Sequence, residues 1–154
     1  KSTTEKLFRN LPLNNSASLL DSILHKDSIN YQEHLLKPSH SYYTAKTNID
    51  TFFYLKPLII NFETHITEIH FNITADEKNS SENGLLTYNA IINLVKDDYI
   101  NYKQDCSKHK YKMKMNYEYT TEFYENKEDY RYKLKITWYG HNNGHEIIIR
   151  YRLN

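Results

Sequence analysis

Two stretches near the end of the chain decide its architecture. They are Tyr130-Arg131-Tyr132-Lys133-Leu134-Lys135-Ile136-Thr137-Trp138 and Ile147-Ile148-Ile149-Arg150-Tyr151-Arg152-Leu153, joined through Gly140-His141-Asn142-Asn143-Gly144. In the first, Tyr130, Tyr132, Leu134, Ile136 and Trp138 alternate with Arg131, Lys133, Lys135 and Thr137; in the second, Ile147, Ile149, Tyr151 and Leu153 alternate with Ile148, Arg150 and Arg152. A strand turns successive side chains to opposite faces, so period-2 patterns of this length predict two strands with one buried and one wetted face each. The Gly/Asn-rich link tolerates positive φ and predicts the turn of a hairpin. Pairing Trp138 with Ile147 keeps the apolar faces together, and it sets Lys135 beside Arg150 and Lys133 beside Arg152 on the other side.

Working outward, Tyr111, Met113, Met115, Tyr117 and Tyr119 repeat the alternation and predict a further long strand. With residues 124–129 as the loop, Phe123 is expected opposite Tyr130, Tyr119 opposite Leu134 and Met115 opposite Trp138, with Glu122 beside Arg131 and Glu118 beside Lys135. Thr67, Ile69, Phe71 and Ile73 alternate with Glu68, His70 and Asn72. Ile29–Tyr31, Ser41–Thr44, Thr51–Leu55 and Leu58–Phe62 are rich in β-branched and aromatic residues, with Pro38 and Pro57 between runs, and also read as strands. Two helices are expected. Asn14-Asn15-Ser16 offers N-cap oxygens ahead of Leu19, Leu20, Ile23 and Leu24, predicting a helix over 16–26. Leu85, Tyr88, Ile91, Ile92 and Val95 form an apolar stripe of about three turns. Residues 1–10 read as loose and 75–84 as a polar loop.

An apolar sheet face must be covered. The prediction is therefore an α+β fold, an antiparallel sheet of about seven or eight strands with two helices on the face formed by Phe71, Met113, Met115, Leu134, Ile136, Trp138, Ile147 and Ile149. A closed, lipocalin-like barrel around a ligand is the alternative.

At 154 residues and 18.5 kDa the chain fits one domain, spanning 1–154. Twenty Lys and Arg against 19 Asp and Glu give a net charge of +1, which argues against a strongly basic nucleic-acid binder and against an acidic disordered tail. No apolar run approaches the about 20 residues of a membrane helix, so no transmembrane segment is expected. A chain starting at Lys1 is expected to be a processed or truncated product. The single Cys106 has no internal partner, which fits a cytoplasmic protein or an exported bacterial one without bridges.

Both halves read as a helix followed by strands. A shift of 71 positions aligns Asp27, Ile29, Asn30 and Tyr31 with Asp98, Ile100, Asn101 and Tyr102, and Leu20, Ile23 and Leu24 with Ile91, Leu94 and Val95. This predicts an internal duplication, with repeats over 8–74 and 84–153. Together with the opening Phe8-Arg9-Asn10-Leu11-Pro12-Leu13-Asn14-Asn15-Ser16, the order resembles the tandem helix-plus-four-strand modules of the β-lactamase-inhibitor-protein-like fold. The opening is also similar to small exported proteins of the Bacteroidetes type. The paired disulfides of the inhibitor family are absent here. The resemblance implies an eight-stranded curved sheet with helices on one face and a protein-binding role for the other.

Catalytic and metal signatures are weak. His141 and His145 flank a turn rather than sharing a helical face, Cys106 and His109 lack a second cysteine, and His65 and His70 are oddly spaced, so no metal site is assigned. There is no Gly-x-Ser-x-Gly or phosphate-binding glycine loop, and no catalytic residue or cofactor is assigned; Cys106 beside Lys108 and His109 reads as an inert strand-loop thiol. Residues 78–154 carry 13 basic and 10 acidic groups, and the inferred register gathers Lys133, Lys135, Arg150 and Arg152 on one outer face, with Lys110, Lys112 and Lys114 added. These four, with the spare aromatics Tyr42 and Phe52, are the candidate binding residues. Nucleic acid is disfavoured because the aromatics of these strands fall on the opposite face. The expected role is a non-enzymatic exported module, periplasmic or at the cell surface or secreted, that binds another protein through an open sheet face. A small-molecule or lipid carrier, or a small hydrolase, is the alternative.

Overall fold

In the computed structural model the chain runs α1 (Thr3–Leu7), α2 (Ala17–Lys26), β1 (Gln32–Lys37), β2 (His40–Thr44), β3 (Phe53–Leu55), β4 (Leu58–Asn61), β5 (Ile66–Ile73), α3 (Ser80–Val95), a 3-10 turn (Lys96–Tyr99), β6 (Lys103–Tyr111), β7 (Asn116–Tyr124), β8 (Leu134–His141) and β9 (Gly144–Arg152). The structure describes residues 2–27, 31–44, 53–55, 57–73, 80–111, 116–125, 131–141 and 144–154. β8 and β9 form the expected hairpin in the expected register, Trp138 opposite Ile147 and Lys135 opposite Arg150. The period-2 pattern specifies this pairing because a one-residue slip would turn Ile147, Ile149 and Tyr151 to the wrong face.

All strand pairs are antiparallel, in the order β1-β2-β4-β5-β9-β8-β7-β6. β3 and β4 both pair with β5, the first through Phe53↔Ile73 to Leu55↔Phe71 and the second through Ile59↔Glu68 to Asn61↔Ile66. They fill one strand position broken around Pro57, as a residue without an amide donor requires. The fold is thus α+β with an eight-position antiparallel sheet. β1 and β6 lie at opposite ends of the order, so the sheet is open and the closed-barrel alternative is excluded. Each half is a meander, and the two meet at their last strands, β5 and β9. Gln32 and Lys103, which open β1 and β6, stand 71 positions apart, the offset read from the sequence.

The helices share one side of the sheet. Leu20 and Leu24 of α2, Tyr88, Ile91 and Val95 of α3, and Leu7 of α1 join Leu58, Ile60, Ile69, Phe71, Leu134, Ile136, Trp138, Ile147 and Ile149 in a single buried cluster. Ser16 caps α2, its hydroxyl accepting the Leu19 amide at 3.3 Å, one residue inside the start expected from sequence.

Several expectations are corrected. The stretch read as one strand through Tyr111 and Tyr119 is a hairpin, with Tyr111 opposite Asn116; Met113 and Met115 lie outside the described residues. Phe123 faces Leu134 rather than Tyr130, Tyr119 faces Trp138 and Glu122 faces Lys135. Residues 3–7, expected loose, are helical, with Thr4 donating through N and Oγ1 to Asp98 Oδ2, both at 2.8 Å. α3 starts at Ser80, inside the stretch expected to be loop.

One close approach fixes α3 on the sheet. A Cβ on Gly84 would stand 2.5 Å from Trp138 Nε1 and 2.8 Å from Cε2. The indole has no room to retreat, being stacked on Tyr117 at 6.1 Å and on His145 at 5.5 Å, with Tyr119 edge-on at 5.0 Å. Alanine is favoured over glycine in a helix by about 1 kcal/mol. Here Gly84→Ala should instead destabilise by about 1–3 kcal/mol through overpacking. Urea unfolding followed by the fluorescence of the single tryptophan checks this; a variant at least as stable as the parent would contradict the packing.

Candidate functional site

The helix-free face is built from the residues that alternate with the core. One row crosses all eight strand positions: His34, Tyr42, Ile59, Glu68, Arg150, Lys135, Glu122 and Asp105. The next runs His70, Ile148, Thr137, Thr120 and Ser107, and the third Asn72, Glu146, Tyr139, Glu118 and His109. Ile148 and Thr137 are buried although no helix among the described residues packs on them, sunk between rows of larger side chains.

Acids and bases are paired across this face. Arg150 Nε donates to Glu68 Oε1 at 3.0 Å. The ring of His70 lies between two carboxylates, Nε2 at 2.8 Å from Glu68 Oε2 and Nδ1 at 3.0 Å from Glu146 Oε1. Lys135 Nζ is 3.5 Å from Glu122 Oε1. Burial pushes the Glu68 carboxyl up, but the hydrogen bonds from His70 and Arg150 and their charges outweigh it and hold the group below its ordinary range. Arg150 is likewise desolvated, and the charge and hydrogen bond of Glu68, together with Tyr139, more than restore its hold on the proton.

The four cations read from the sequence therefore do not form a free basic patch. Lys135 and Arg150 remain on the face, each beside a glutamate. Arg152 donates from Nε to the Tyr132 carbonyl at 3.1 Å and lies 5.0 Å over the Tyr132 ring, and Lys135 lies 5.5 Å from the same ring. Lys133 leaves the face: its Nζ donates to the Arg152 carbonyl at 2.8 Å and sits 4.6 Å over Tyr151, a core-side ring. Burial pulls its ammonium below the usual lysine range. Lys110 stands over Tyr117, on the helix side. Tyr42 is half-buried in the first row, four strand positions or about 19 Å from Lys135. Phe52, Lys112 and Lys114 lie outside the described residues.

Glu68, His70, Glu146 and Tyr132 were missed by the sequence reading. Their signal was partly present, since Glu68 and His70 alternate with the apolar positions of β5, but their partners lie 76 and 82 residues away along the chain. His145, expected in an exposed turn, is buried and accepts from Trp138 Nε1 at 3.1 Å. Lys133 also lines a cleft of about 340 Å³ on the helix side, with Ser2, Thr4, Asp98, Tyr102 and Tyr151. No family model, curated protein or solved structure matches the chain.

The Glu68 network carries a pH signature. Because its folded-state pKa is lowered, its stabilisation is fully present above the ordinary carboxyl value near 4.5 and drains away as pH falls through the lower folded value. Glu68→Gln should therefore be less stable than the parent at pH 6–7, with the gap closing below about pH 4. Urea midpoints across this range test it; a gap that widens on acidification would reverse the assignment.

Proposed function

We propose that this chain is a non-enzymatic, exported binding module that recognises another protein through the helix-free face of its sheet. The observation that carries the reading is the set of ion-paired groups Glu68, His70, Glu146 and Arg150, fixed by one another on a face that no described helix covers. Side chains already held in place lose little freedom when a partner docks, which favours binding. Tyr42, Tyr132 and Tyr139 add amphipathic rings of the kind enriched at protein interfaces. Each cation of the row is matched by a carboxylate on a neighbouring strand, so the face suits a protein surface bearing both charges rather than a polyanion. That argues against nucleic acid, whose phosphates need unpaired cations. The exported setting rests on the resemblance of residues 8–16 to small exported proteins.

The test is a Lys135→Ser/Tyr42→Ala double variant. Both sites are partly exposed and the Lys135–Glu122 pair is of the weak surface kind, so melting should change little. A partner captured by the parent from extracts of its source should bind the variant about tenfold more weakly, with an on-rate loss that shrinks as salt rises. Equal capture by both forms, or no specific capture, would overturn the reading.

The helix-side cleft supports a second reading, a small-ligand carrier, because its volume of about 340 Å³ reaches the range of about 300–1,000 Å³ typical of ligand pockets. On that reading a screened compound raises the melting temperature of the parent and not of Lys133→Met. Hits that stabilise both forms alike would remove it.

A further inference from the structure

On the helix side, at the β1 end of the sheet, three chemically suited donors converge. Asp21 and His25 stand four residues apart on α2, a spacing that puts both on one face of the helix. Glu33 approaches from β1. His25 Nδ1 lies 2.6 Å from Glu33 Oε2, and its Nε2 lies 3.6 Å from Asp21 Oδ2. One ligand atom from each of the three falls within 4.8 Å of the others.

The second observation is what these groups lack. Asp21 Oδ1 and Glu33 Oε1 are shielded from solvent and accept no hydrogen bond among the described residues. Tyr43, directly opposite Glu33 in the ladder and wholly buried, has its hydroxyl in the same condition, and its ring meets that of His25 edge-on at 6.4 Å. Two unpartnered carboxylate oxygens thus belong to groups that both touch one histidine. Buried acceptors without a donor are rare and costly, and two carboxylates share this one spot. A dication with a neutral imidazole and two carboxylates sums to zero charge, which compensates both acids at once.

We propose that Asp21, His25 and Glu33 bind a divalent first-row transition ion of the zinc type. The imidazole decides the class, since calcium and magnesium prefer all-oxygen shells while zinc takes mixed nitrogen and oxygen donors. Bonds of about 2.0–2.1 Å require donors about 3.3 Å apart in a tetrahedron, so Glu33, now 2.6 Å from His25 Nδ1, must draw back slightly while Asp21 closes on the nitrogen that binds. His25 is free to adjust, its side chain being half-exposed. The same exposure gives the ion a way in and leaves the fourth position to water. The site lies on the helix side, apart from the binding face, and does not depend on that reading.

The experiment is calorimetric titration of chelator-treated, metal-free protein with zinc chloride, with magnesium chloride as the control and melting followed in parallel. One equivalent should bind with a dissociation constant of about 10 µM or tighter and raise the melting temperature, while magnesium does neither. His25→Gln and Asp21→Asn should each weaken zinc by tenfold or more with circular dichroism unchanged. The two substitutions act at different residues, so failure of one to fold leaves the other to decide. Affinity weaker than about 100 µM, equal heating stability from magnesium, or unaltered binding in the folded variants would overturn the proposal, the last by moving the zinc to another of the eight histidines.

Discussion

The ladder between β5 and β9 is the constraint on which the rest of the molecule depends. Eight residue pairs, from Ile66↔Arg152 to Ile73↔His145, join two meanders that share no other strand pairing among the described residues. Ile69↔Ile149 and Phe71↔Ile147 place apolar side chains from both halves on one side, and Glu68↔Arg150 and His70↔Ile148 place the polar network on the other. One register thus builds the common core under α2 and α3 and, at the same stroke, the face opposite. Slipping it by a single residue would bury Glu68 and expose Ile69.

Legibility followed the length of each alternating run and the presence of turn-forming residues. β8 and β9 were readable because four or five apolar positions repeat strictly on either side of a Gly/Asn turn. β6 and β7 were not, because the letters keep alternating from Tyr111 to Tyr119 while the backbone reverses between Tyr111 and Asn116, across residues that include neither Gly nor Pro. β1, Gln-Glu-His-Leu-Leu-Lys, lies at a sheet edge and lacks the alternation that a half-buried strand displays. The start of α3 was hidden in a polar stretch because a helix needs only one apolar stripe, and its first turn need not carry it.

Charge was the least readable property of the candidate face. Counting residues gave a basic C-terminal half, yet Arg150 and Lys135 each lie beside a glutamate, one of them 82 residues away in sequence. Local charge counts register ion pairs within a strand or hairpin and are blind to those made by long-range pairing. The Asp21–His25 spacing was legible on α2, but Glu33 arrives from an edge strand whose register the sequence did not specify.

The contact between Asp98 and Thr4 has a consequence for the order of folding. Its residues are 94 apart, and it ties the five-residue α1 to the 3-10 turn that follows α3. A helix that short has no stability of its own in water. It is held once the turn offers a carboxylate to the Thr4 amide in its first turn, so α1 depends on the arrival of a distant segment across a long loop closure. Residues 3–7 are in this way held by a turn more than ninety positions further along, and α1 acts as a latch closed over structure already made.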